Sequence, residues 1–109
     1  MSWSIGFTIN GIELSNYKWN YTHNCNNMMR EANFDWIYNL DGLKVKDTLP
    51  QFEMMLANLK SDPEKFRAMN PANGWGDYNS LVELWETEII PAAKYVVDKL
   101  PEVTWWEFS

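Results

Sequence analysis

The chain reads as an α+β domain: a small antiparallel sheet packed against three to four helices. Three observations predict this. Trp3, Ile5, Phe7 and Ile9 alternate strictly with polar or small residues before an Asn10-Gly11 pair, the pattern of a hairpin. Apolar residues then recur at helical spacing through most of the chain, from Met28 to Leu100. Finally, "EVTWWEFS" reads as a strand after Pro101, and its only available sheet is the N-terminal hairpin. Residues 1–109 therefore make one domain, since 109 residues suffice for one core and not for two.

On the return strand Ile12 and Leu14 continue the apolar face. Tyr17, Trp19 and Tyr21 resume it one residue out of phase, which predicts a bulge near Ser15 and Asn16. Thr22 or Asn24 can cap a helix running to Asn33, with Met28, Met29 and Ala32 on one face. "FDWIYNLDG" reads as a short helix or turn stopped by Gly42. A further helix starts near Lys46 and carries Leu49, Phe52, Met55, Leu56 and Leu59. Pro50 is tolerable there because first-turn amides lack partners within the helix. Asp62-Pro63-Glu64 is a capped helix start carrying Phe66 and Met69. "NPANGWGDYNS" is the clear loop, from Asn70 to about Asn79. The last helix runs from about Tyr78 to Lys99 with Leu81, Trp85, Ile89, Ala92, Val96 and Leu100 inward, bent by Pro91.

Composition excludes several function classes. A net charge of −6 argues against binding nucleic acid through its phosphates, which needs a basic stripe. Mimicry of DNA fits poorly as well, because 15 carboxylates are interleaved with nine Lys and Arg. A single cysteine makes no internal disulfide, and no stretch approaches the roughly 20 apolar residues of a membrane span. The N-terminus shows neither basic nor apolar leader segments, so the expected location is the cytoplasm and the Asn20-Tyr21-Thr22 sequon is inert. Seven Trp, five Tyr and five Phe exceed what a small core needs and suggest an interface.

His23 and Cys25, the only residues of their types, stand two positions apart. On a strand they lie about 6.5 Å apart, too far for thiol and imidazole to meet; on a helix they take nearly opposite sides. A zinc site would need further ligands from carboxylates alone. The better expectation is a buried Cys25 at a helix start beside His23. Neither catalytic residue nor metal nor cofactor is expected: the chain has no phosphate-cradling glycine loop, and Glu83, Glu86 and Glu88 form a solvated helix face.

Binding residues are expected at three places. Asn20, Thr22 and Asn24 crowd amides and a hydroxyl at one strand-to-helix junction, where they either cap the helix or line a polar pocket for an anion or a base edge. In "NGWGD", Asn73 and Trp75 sit on a loop with glycines either side of the tryptophan, either plugging the core or offering a ring to stack on. Trp105 and Trp106 must face opposite ways on a strand. Trp106 shares a face with Phe108 and is assigned to the core, leaving Trp105 exposed on an edge strand for a partner or a homo-oligomer.

The order of features resembles a family of small proteins encoded by bacteriophages and prophages. The marks are the hairpin, "N-x-T-x-N" before "MMREA" (Asn20 to Ala32), "P-E-K-F-x-x-x-N-P-x-N-G-W-G" (Pro63 to Gly76), and a terminal helix closed by a strand (Ser80 to Ser109). The aromatic "WWEF" ending and Pro91 depart from the pattern. The resemblance implies a non-enzymatic phage accessory protein and carries no catalytic residues. The expected function is to antagonise a bacterial host defence, by blocking an effector protein or sequestering a small signalling nucleotide. The alternative is a structural or regulatory protein of particle assembly.

Overall fold

Asn10 and Gly11 both take positive φ, 52° and 78°, and close the hairpin between β1 (Ser2–Ile9) and β2 (Ile12–Thr22) as the Asn-Gly pair requires. The computed structural model describes residues 2–34 and 37–108. The register runs Ile9↔Ile12 and Thr8↔Glu13, then slips to Gly6↔Lys18 and continues to Ser2↔Thr22. Leu14 to Tyr17 thus oppose the single residue Phe7. The excess is three residues, an odd number, so side-chain alternation on β2 inverts across the expected bulge. Trp19 and Tyr21 thereby pair with Ile5 and Trp3, and the Tyr17 ring meets that of Phe7 at 5.2 Å.

A one-turn 3-10 segment, His23–Cys25, leads into α1 (Asn26–Glu31). The expected helix or turn in "FDWIYNLDG" is a 3-10 turn at Ile37–Asn39; Asp35 and Trp36 lie outside the described residues. Helix α2 (Val45–Ser61) buries Phe52, Met55 and Leu59. It starts at Val45, so Pro50 sits in its second turn and costs the hydrogen bond its amide would make to Lys46. Helix α3 (Pro63–Arg67) is capped by the Asp62 carboxylate, which accepts from the Lys65 amide.

The long last helix is continuous but changes pitch. Helix α4 (Tyr78–Glu83) passes through a π-helical turn, Leu84–Ile89, into α5 (Ile90–Lys99). Pro91 has no N–H to donate, and the wider turn before it accommodates that gap, with the Ile90 amide bonding Trp85. The turn also shifts the buried stripe. Leu81, Trp85 and Ile89 are buried as expected, but Ala93 follows where Ala92 was assigned, and Leu100 is exposed.

Strand β3 (Thr104–Phe108) adds antiparallel to β1, giving the sheet order β2-β1-β3. Its alternation is opposite to the expectation. Trp105 pairs with inward-facing Phe7, is fully buried against Phe7 and Phe52, and donates its indole N–H to Thr48 Oγ1 at 2.8 Å. Trp106 pairs with Gly6 on the outer face, where the absence of a side chain leaves room for its ring. Phe108, on the same face, is 76% exposed. The far edge of β3 is already occupied: the Gly42 amide bonds Trp105 O and the Trp105 amide bonds Leu43 O. Neither a Trp105 anchor nor edge pairing through β3 is therefore open to a partner or a second copy.

Candidate functional site

The sheet's inner face, covered by α2 and Trp85, leaves the end of the hairpin to meet the loop between α3 and α4. That meeting is held by Tyr21. Its hydroxyl lies 2.7 Å from Ser80 Oγ and accepts from the Asp77 amide at 3.2 Å. Asp77 in turn caps α4, its Oδ1 accepting from the Ser80 amide at 2.7 Å. Gly76 presses against the same junction: a Cβ there would stand 2.6 Å from Thr22 Cγ2 and 3.2 Å from Cys25 Sγ. Its φ of +88° is open to glycine and strained for any other residue.

With the loop pinned, a cleft of about 550 Å³ opens between it and the hairpin, lined by Ser2, Asn20, Thr22, Asn24, Asn73 and Trp75. Five of the six expected binding residues thus converge, from two separate stretches of sequence. Trp105, the sixth, does not belong: it is a core residue on the other side of the sheet's centre. Ser2 was not anticipated. It enters because β1 pairs it with Thr22, a register that depends on the size of the bulge and cannot be counted from the turn alone.

Every lining side chain is uncharged. Thr22 Oγ1 accepts from the Asn24 amide at 3.2 Å, so the capping role is real, yet the side chain still borders the cleft. The Asn24 amide group reaches the loop, 3.3 Å from Trp75 O, and Asn73 Oδ1 accepts from the Trp75 amide at 2.9 Å. The tryptophan between these contacts is not a core plug: it is 69% exposed. A large flat ring held by its own backbone and left in solvent is the chemical feature of the site. The alternative of an anion at the helix start loses support, because α1 has six residues and no cation lines the cleft.

Cys25 is fully buried at the end of the 3-10 turn, and burial pushes its thiol above the usual cysteine range. Tyr21 is raised for the same first reason. A protonated, enclosed thiol is a poor nucleophile and a poor metal ligand. Among the described residues no three His, Cys, Asp or Glu side chains are grouped to hold a metal ion.

No family model, curated protein or solved structure matches this chain. Among the described residues no helix is long and apolar enough to cross a membrane.

Proposed function

We propose that this is a non-enzymatic binding protein, a phage accessory factor that antagonises a bacterial host defence by sequestering a small signalling nucleotide in the Trp75 cleft. The observation that carries the reading is the exposed Trp75 ring beside a cleft of purely neutral hydroxyl and amide groups. A volume of about 550 Å³ falls in the range of small-ligand sites. Without Lys or Arg in the lining, recognition goes to the base, with the phosphates left toward solvent.

The test is protection of a bacterium whose defence is signalled by nucleotides. Wild-type protein should weaken the defence, and Trp75→Ala at equal soluble level should not. Antagonism that survives Trp75→Ala sinks the reading. A second reading, docking to a protein of the particle or the host, is favoured by one observation: the outer sheet face carries exposed Phe108 and the Trp106 ring beside a depression of about 480 Å³. Trp106→Ala would be the variant that loses activity in that case.

A further inference from the structure

The three asparagines of the cleft are not interchangeable, because backbone groups fix which end of each amide faces inward to the protein. Asn20 Nδ2 lies 3.0 Å from Trp3 O, and a carbonyl oxygen only accepts. Ser2 Oγ and Ser4 Oγ also lie 3.0 Å from that nitrogen and share its two hydrogens with Trp3 O. Asn20 Oδ1 is left over as an acceptor. Asn24 Nδ2 is fixed in the same way by Trp75 O, leaving Asn24 Oδ1 as a second acceptor. Asn73 is the reverse. Its Oδ1 takes the Trp75 amide, which only donates, so Asn73 Nδ2 is left as a donor. The contact of Asn24 Nδ2 with Asn73 Oδ1 at 3.5 Å agrees with both assignments. Two acceptors and one donor of settled identity thus border one cleft with an exposed indole.

Resting on the reading of this cleft as a base-binding site, we infer that its ligand is guanine, as a nucleoside or the base of a nucleotide. Guanine presents N1–H and the 2-amino group as two separate donors, with O6 as acceptor, on one edge. That set matches in kind the two acceptors, Asn20 Oδ1 and Asn24 Oδ1, and the donor, Asn73 Nδ2, that line the cleft with Trp75. Adenine and cytosine each bring a single amino donor to that edge, and uracil a single N–H between two carbonyls. None fills both acceptors from separate groups. A guanidinium would fill the acceptors and leave Asn73 Nδ2 without a partner.

The experiment is titration of the intact protein with guanosine, guanosine monophosphate, inosine, adenosine and arginine amide, read by tryptophan fluorescence and calorimetry. Guanosine and its monophosphate should bind alike, since no cation meets the phosphate. Inosine, which lacks the 2-amino group, should bind about tenfold more weakly for the one hydrogen bond lost. Adenosine and arginine amide should bind weakest. Asn73→Asp keeps an oxygen for the Trp75 amide and replaces the free donor with an acceptor, so it should lose guanosine and gain arginine amide; unchanged thermal unfolding would show the loop intact. Equal binding of adenosine and guanosine, or arginine amide binding ahead of guanosine, overturns the assignment. If no nucleoside binds while Trp75→Ala still abolishes antagonism of the defence, guanine is wrong and the cleft reading stands. If Trp75→Ala leaves antagonism intact, that reading fails on its own account.

Discussion

Gly6 stands where a side chain has no room: an added Cβ would lie 2.5 Å from Tyr17 O and 2.6 Å from the Trp106 ring. Gly6→Ala should therefore destabilise the fold by about 1–3 kcal/mol in denaturant titrations, an overpacking cost at a site closed on two sides. Trp105→Ala should cost about 3–5 kcal/mol, the loss of a fully buried ring and of its bond to Thr48. These two residues also show where reading by residue type fails. Trp106 and Phe108 on one face suggest a core, yet what decides the orientation is the partner strand, whose Gly6 makes space outside and whose Phe7 demands a neighbour inside. Cys25 and Tyr21 have a further consequence. Both are held protonated by burial, above ordinary values of 9.0 and 10.0. The unfolded chain gives up these protons first as pH rises, so their stabilising contribution is whole below those values and is lost through the raised ones. Stability should be flat with respect to these groups through neutral pH and fall above about pH 9, less steeply in Cys25→Ala, as thermal melts across that range would show.

Secondary-structure elements were easier to read where local chemistry is decisive. The Asn-Gly turn, the Thr22 cap and the Asp62-Pro63 start all lie where their residues require. Thr22→Ala should cost about 1 kcal/mol of stability, since one side-chain acceptor is removed from a helix start. The last helix was legible up to its π turn and only in part beyond it. A period of 3.6 carries no sign that one residue will be added before Pro91, so Ala93 is buried in place of Ala92 and Leu100 is exposed, while Val96 is buried as periodicity predicts. The loop between α3 and α4 owes its geometry to Gly76. Gly76→Ala forces both an unfavourable φ and a collision with Thr22, and should detach the Trp75 loop from the hairpin. The observable is loss of ligand affinity together with a lowered melting temperature; unchanged affinity would mean the loop finds its position without this contact. The cleft itself was half legible. Its asparagines and tryptophan could be named from composition, but their meeting depends on Tyr21 bridging to Ser80 across 59 positions, which no local pattern announces.

At the scale of the whole molecule, net charge −6 makes a general field that repels anions, while the cleft is neutral. Binding there should accordingly change little between low and physiological salt, in contrast to any partner held by charge. A fall of orders of magnitude would locate the ligand elsewhere. The ion pairs, such as Lys44–Glu102 and Lys65–Glu31, join exposed side chains and add little to stability. The sheet topology governs something else, the order of events in folding. Central strand β1 is first along the chain, and its partner β3 is far downstream; Thr8 and Thr104, bonded to each other, are 96 positions apart. A nascent chain can close the β1–β2 hairpin early, but the other edge of β1 must wait until the helices that separate it from β3 have been synthesised. Such distant pairing slows folding and leaves an aromatic-rich strand edge uncovered meanwhile. The chain's soluble yield should then depend on how soon β3 arrives to cover that edge.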